Sequence, residues 1–427
     1  MTGSASAEAP VSSLGELLAA VDRDAERDRR TVWLTANEGF MSRTAASYLS
    51  SAFSNRYYGG PGDEDAVVTN PYTPFMSRGR PGMAGLVDAA SAAAAEMLGA
   101  ASVNVNCLSG INAMTSAILA LSEPGDVVMS LPVSEGGHYA TQHVVERCGR
   151  RWVPLPVDGR TGALRPAAVR GPCSPDVELV YLDSSFELSQ LDVAGIRRFL
   201  GDRAALVYDA SHTMGLIMGG MLPSPLALGA DALCGNTHKT LPGPHRGLIA
   251  YRTAQVAERA DAVIEGGLYS SNHLISLTAL CVTLLEMHRW GRDYARQVVA
   301  NANWLAGALA GLGWEVRENG DGRFTRTHQV HALSERLGPH RLLYVRFAAS
   351  NIALGFDNCL GEGTFIRLGT QEVTRRGMKE AEMDELADLL VRAASGQDVS
   401  AAAAGLALRH DNAHYSFDLD PKWGAQQ

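Results

Sequence analysis

The sequence predicts an α/β protein, with a large domain on a mainly parallel sheet followed by a small α+β domain. Three observations lead there. Over residues 99–251 short continuous apolar runs alternate with helical patterns, as strands covered on both faces do. One run, Val207-Tyr208-Asp209-Ala210-Ser211-His212, ends in an acid with a histidine three positions on. Downstream, Asn236-Thr237-His238-Lys239-Thr240-Leu241-Pro242-Gly243-Pro244 sets a lysine in a polar, turn-rich segment.

Bulk properties narrow the class. The chain has 427 residues, 46% of them hydrophobic and 19% charged, enough for a large core and two domains. We expect an N-terminal helical arm over 1–30, a large domain over 31–290 and a small domain over 291–427. A net charge of −9 argues against nucleic acid as a partner. The six cysteines (Cys107, Cys148, Cys173, Cys234, Cys281, Cys359) contain no C-x-x-C pair, so neither a zinc site nor a disulfide framework is expected. Residues 1–12 are small and polar, unlike a secretory leader, and no apolar run reaches membrane-spanning length. The expected location is the cytoplasm.

Taken in order, Ser13 and Glu16 read as a capping box that starts a helix running to about Arg27. An apolar run at 31–36 follows, then a Gly/Pro/Asp-rich stretch at 57–83 with the look of a functional loop. The alanine-rich 86–98 predicts a helix closed by Gly99. Strands are expected at 127–131, 152–156, 179–183, 205–209 and 247–251, and a long helix at 274–309. Further on, 314–317, 342–347 and 365–368 read as strands, 379–394 as an amphipathic helix and 401–404 as helix.

The residues point to one cofactor. A lysine amine forms a Schiff base with pyridoxal 5′-phosphate, and a carboxylate near the pyridine nitrogen keeps that ring electron-withdrawing. In a parallel sheet, ligands sit at the carboxyl ends of strands, which is where Asp209 falls. His212, one turn on, is placed either to reach the cofactor's phenolic oxygen or to stack beside the substrate. Ser109-Gly110 precedes a helix starting near Asn112, a setting in which backbone N–H groups hold phosphate. His410 and His414 lie four apart without a third ligand, and His328, His331 and His340 show no ligand spacing, so no metal is expected.

The segments DASHTMGL and NTHKTLPGP resemble the signatures of serine hydroxymethyltransferase and its relatives, which are fold-type-I, aspartate-aminotransferase-like transferases dependent on pyridoxal phosphate. The likeness recurs in order at Leu34-Thr35-Ala36-Asn37-Glu38, Ser109-Gly110, Gly136-Gly137-His138, Gly266-Gly267, Ile366-Arg367-Leu368-Gly369-Thr370 and Thr374-Arg375-Arg376-Gly377. The resemblance implies that Asp209, His212 and Lys239 bind the cofactor, with His238 beside the lysine. It implies phosphate contacts at Ser109 and Gly110, although Ile111 stands where relatives carry a hydroxyl. His138 would stack on the pyridine ring, Ser184 would sit near a cofactor oxygen, and Tyr57 would add a phenol to the phosphate. Arg367 would clamp the substrate carboxylate with help from Asn37, at a position where relatives usually have serine. Gly266 and Gly267 would reach the phosphate of a neighbouring subunit, implying a homodimer with active sites at its interface.

Folate-dependent members of that family carry a glutamate for one-carbon chemistry. Here the matching position is Gly59 or, in another alignment, falls near Ser50, with Asp63, Glu64 and Asp65 as nearby acids. The compact Gly355-Phe356-Asp357-Asn358-Cys359-Leu360-Gly361 replaces the pterin-holding loop, and His245-Arg246 displaces the usual arginine after T-L-x-G-P. Amino-acid anchors are kept while folate features are not. The chain therefore resembles the L-threonine transaldolases, which cleave L-threonine to acetaldehyde and pass the glycyl unit to another aldehyde. That would give a β-hydroxy-α-amino acid, with His138 or His212 as general base. The alternatives are a serine or α-methylserine hydroxymethyltransferase and a simple threonine aldolase.

Overall fold

Seven strands form the central sheet, in the order Ser102–Asn104, Gly247–Tyr251, Ala232–Asn236, Ala205–Asp209, Val177–Leu182, Val127–Ser130 and Arg151–Pro154. Five consecutive neighbours pair in parallel, while Gly247–Tyr251 runs antiparallel to both strands beside it. The computed structural model describes residues 13–58, 67–69, 76–158, 163, 165, 177–358 and 363–420. Gly59, Asp63, Glu64, Asp65, Cys359, Leu360 and Gly361 lie outside them.

The sheet is buried on both faces, as its continuous apolar strands require. Every residue of Val127–Ser130 and of Gly247–Tyr251 is buried. One face packs Met129, Val180, Leu182, Leu206 and Leu233 against helices, and the other packs Val128, Leu179, Val207, Cys234 and Ile249. The helix Pro81–Leu98 starts with Pro81 in its first turn and ends on Gly99 in the left-handed conformation (φ 64°), a stop that a residue with a Cβ resists. Helix Leu14–Arg29 opens on the Ser13–Glu16 capping box and buries none of its residues.

A three-stranded antiparallel sheet, Gln329–Leu333, Phe365–Gly369 and Gly355–Asp357, organises a second core. Val32 and Leu34 join that core, and Val32–Trp33 pairs with Ile352–Ala353. Helix Leu274–Gly311 runs unbroken through residue 290. Its residues from Leu274 to Val299 pack in the large core, and Ala302, Leu305, Ala306 and Leu309 pack in the small one.

Two strand expectations are corrected. Residues 342–347 lie within helix His340–Ala349, where Leu343 and Phe347, four apart, face the core while Leu342, Tyr344 and Val345 are exposed. A short apolar run fits either period, and here the period near four wins. Residues 314–317 make only an isolated bridge, Val316 to Ala332. Strand Ala232–Asn236, which leads to the lysine segment, and strand Gln329–Leu333 were not foreseen.

The Thr374-Arg375-Arg376-Gly377 motif serves packing. Arg375, fully buried, pairs with buried Glu286 at 2.5 Å and donates to the Tyr415 carbonyl at 2.6 Å. Glu286 in turn accepts from the Phe417 N–H, so this ion pair anchors the C-terminal segment to the long helix. Removing one member of a buried pair strands the other charge. Glu286→Ala should therefore cost about 3–5 kcal/mol of stability in denaturant unfolding.

Candidate active site

The carboxyl ends of the parallel strands converge on one cleft. Gly110, His138, Ser184, Asp209, His212 and Lys239, all singled out in the sequence, line it together. Asp183, Ser185, Ser211, Asn236, Ile111 and Met114 complete the lining. Asp209 ends its strand and accepts from the Tyr181 hydroxyl at 2.6 Å and the Ser211 N–H at 2.8 Å, so both carboxyl oxygens are fixed.

Lys239 is 8% exposed, and its Nζ lies 3.0 Å from His212 Nε2. Burial pushes the amine down to about 8, partly countered by Asp209 and reinforced by Arg367. Burial also holds His212 neutral, well below the ordinary histidine range, with Lys239 adding to the effect. A neutral His212 accepts the lysine N–H through Nε2. Its ring stacks on that of His328, with centroids 5.9 Å apart and planes 15° apart. His328 is itself fixed by a 3.1 Å contact between Nε2 and the Ala36 carbonyl. No ligand spacing marked His328, yet it backs the imidazole that touches the lysine.

His138 caps helix Tyr139–Arg147, taking the Ala140 N–H on Nδ1 at 3.3 Å. Burial lowers its affinity for a proton. Ser184 accepts from the Phe186 N–H at 3.4 Å. Ser109 caps helix Gly110–Leu121 by accepting from the Asn112 N–H, and the Gly110 N–H donates to Asn236 Oδ1 at 3.1 Å. A Cβ on Gly110 would lie 2.2 Å from that oxygen, so only glycine fits.

Arg367 approaches from the small sheet. It donates to the Ser185 carbonyl and to Asn37 Oδ1, both at 2.9 Å, and its guanidinium lies 4.8 Å from the Phe186 ring centre. The structure thus joins Arg367 to Asn37, 330 residues apart in sequence, as the sequence reading paired them.

Five residues named from the sequence lie elsewhere in the single chain. His238 turns away from Lys239, stacks on His245 at 3.8 Å and lines a neighbouring cavity with Glu38, Phe40, Glu372 and Arg376. Tyr57 is 56% exposed, with its carbonyl held by Arg80 Nε at 3.1 Å. Gly266 and Gly267 sit in a single π turn, Ile264–Leu268, outside the cleft of their own chain. Arg246, which follows the His245 that displaces the family arginine, is buried and donates to the carbonyls of Asn272, Val105 and Asn106. Among the described residues no group of three or more His, Cys, Asp or Glu is placed to hold a metal, and no helix is long and apolar enough to cross a membrane.

The residues fit a pyridoxal cofactor: an amine with lowered proton affinity, a fixed carboxyl and a neutral imidazole whose buried Nδ1 has no partner share one cleft. Comparison with known proteins agrees. The serine hydroxymethyltransferase family model matches residues 12–390. The chain is 34% identical over 381 residues to a fluorothreonine transaldolase of Streptantibioticus cattleyicolor, covering 89% of this chain but only 59% of that longer protein. It is 34% identical over 397 residues to an L-threonine:uridine-5′-aldehyde transaldolase of a Streptomyces species, covering 92% and 91% of the two chains. A serine hydroxymethyltransferase of Methanosphaera stadtmanae is 30% identical over 401 residues, covering 90% and 91%. The crystal structure of an L-threonine transaldolase from Pseudomonas fluorescens, in its internal aldimine state, superposes with a TM-score of 0.83 at 31% identity, covering 97% and 96% of the chains.

The lowered lysine predicts a pH profile. Only the unprotonated amine attacks an aldehyde. The rate at which the apoprotein captures added pyridoxal phosphate, followed by visible absorbance, should rise with a midpoint near pH 8. A midpoint in the ordinary lysine range, about 10.4, would contradict the burial argument.

Proposed function

The chain belongs to the serine hydroxymethyltransferase family and uses pyridoxal 5′-phosphate, and within that family we propose that it is an L-threonine transaldolase. It would cleave L-threonine to acetaldehyde and transfer the glycyl unit to a second aldehyde, giving a β-hydroxy-α-amino acid. The observation that carries this reading is the anchored Arg367. It keeps the α-carboxylate clamp of an amino-acid enzyme, while the acid that folate chemistry needs is replaced by Gly59 or, in the other alignment, by exposed Ser50.

Lys239 would hold the cofactor and Asp209 would face its pyridine nitrogen; when bound, the cofactor would supply an electron sink for the pair released as Cα–Cβ breaks. The protein's own groups do the rest. Arg367, steadied by Asn37 and the Ser185 carbonyl, orients the substrate carboxylate by paired hydrogen bonds. His138 has Nδ1 engaged by the Ala140 N–H, whereas His212 directs Nε2 at the lysine amine. We therefore assign removal of the β-hydroxyl proton to His212. The neutral state of both histidines suits that role. His138, half-buried at the cleft edge, would cover the pyridine ring, and Ser184 would contact a cofactor oxygen. Ser109 and Gly110 would face the phosphate, with Tyr57, Gly266 and Gly267 approaching from a second subunit of a homodimer.

A panel assay tests the reading. L-Threonine alone should release acetaldehyde, and adding a second aldehyde should yield a new amino acid detectable by mass spectrometry. Serine formed from glycine only when methylenetetrahydrofolate supplies the one-carbon unit would indicate a hydroxymethyltransferase instead. Acetaldehyde release without any transfer product would indicate a simple aldolase. Arg367→Lys should lower kcat/KM for threonine by roughly 30- to 1000-fold, about 2–4 kcal/mol, by loss of the bidentate contact.

A further inference from the structure

Asp183 follows strand Val177–Leu182 at the floor of the cleft, and no motif marked it. It is 2% exposed, and its two oxygens differ. Oδ2 accepts from the His138 N–H at 2.9 Å and the Thr141 hydroxyl at 2.6 Å, pinning the start of helix Tyr139–Arg147. Oδ1 is buried and has no partner, although the residue lines the cleft beside Ser184, Asp209 and Lys239.

A buried carboxyl oxygen left bare is costly, more so if charged. Asp209, in the same cleft, is already engaged as an acceptor on both oxygens. Two charged carboxyls in one buried cleft repel, so one of the pair keeps a proton. We propose that Asp183 is the neutral member, that its proton rides on Oδ1, and that this O–H donates to the phenolic oxygen of the bound pyridoxal ring. That oxygen is the ring's remaining acceptor once the pyridine nitrogen faces Asp209. Asp183 is then a cofactor-binding residue, and through Oδ2 it also positions His138. The assignment rests on the cofactor lying beside Lys239 and is independent of which aldehyde is the acceptor substrate.

The electrostatics agree with the geometry. Burial raises Asp183 to about 7, partly offset by the Thr141 and His138 donors and reinforced by Asp209. Neighbouring Glu187, bonded by the Tyr208 hydroxyl, is likewise raised by burial, to about 8. The cations facing the cleft are Lys239 and Arg367, and both histidines are held uncharged.

Asparagine is the discriminating substitution. In Asp183→Asn the amide oxygen keeps the two donors of Oδ2 and the NH₂ replaces the O–H, so a donor still faces the cleft. Asp183→Ala removes it. Apoprotein affinity for pyridoxal phosphate, measured by fluorescence titration near pH 6.5, roughly the reference value of an unperturbed histidine, should be unchanged within about threefold for Asn. For Ala it should fall about tenfold.

A second readout needs no cofactor. A carboxyl whose folded pKa is raised lends stability that is complete below the unfolded value and lost as pH climbs to the folded one. The Tm of the parent relative to Asp183→Asn should therefore fall as pH rises from about 4 to about 7, then level off. An Asn variant that binds as poorly as Ala, a Tm difference constant over that range, or an Ala variant with parental affinity would each overturn the assignment. A native-sequence apoprotein that took up no pyridoxal phosphate would instead sink the cofactor site, leaving the Tm arm to judge the proton on Asp183.

Discussion

The site depends on holding one amine only partly charged inside the protein. Burial strips water from Lys239 and disfavours its ammonium form, and the positive field of Arg367 adds to that. Asp209 pulls the other way, so the amine settles near neutrality instead of being driven far below it. Balance of this kind needs groups within a few ångströms of each other. Parallel strands supply that closeness, because Asp209 at the end of one and Asn236 at the end of the next open onto the same edge. The neutral His212 follows from the same desolvation, and its contact with the lysine ties imidazole and amine into one unit.

Much of this was legible in the residues. The Asp209–His212 pair and the Lys239 segment are nearly contiguous, and their motifs sit where strands end, so local sequence carries the geometry. Arg367 and Asn37, both named from sequence for the substrate carboxylate, meet in the structure although they lie in distant segments. Less legible were contributions without a motif. Asp183 and Asn236 are polar residues at or just past the carboxyl ends of parallel strands, and that position alone is a signal to collect every such residue. His328 has no such signal, since it is placed by the strand that follows it, which pairs with the strand of Arg367, and by its ring against His212.

The misreadings have local causes. His238 shares a motif with Lys239, but its ring stacks on His245 and lines a different cavity. Residues 342–347 carry apolar groups that suit two periodicities, and tertiary packing of Leu343 and Phe347 decided for the helix. The Thr374–Gly377 motif, part of the family likeness, was given no role by sequence; Arg375 spends its guanidinium on Glu286 and on the tail.

The long helix Leu274–Gly311 acts as a ruler between the two halves of the site. Its Val298 carbonyl accepts from the Thr370 hydroxyl and its Asn301 amide donates to Thr374 and Met378, all just downstream of Arg367. One inserted residue would turn everything beyond it by about 100° and advance it about 1.5 Å. The guanidinium would then no longer meet the cleft that Lys239 occupies. The span of this rod therefore sets the separation of the two anchors, Lys239 and Arg367.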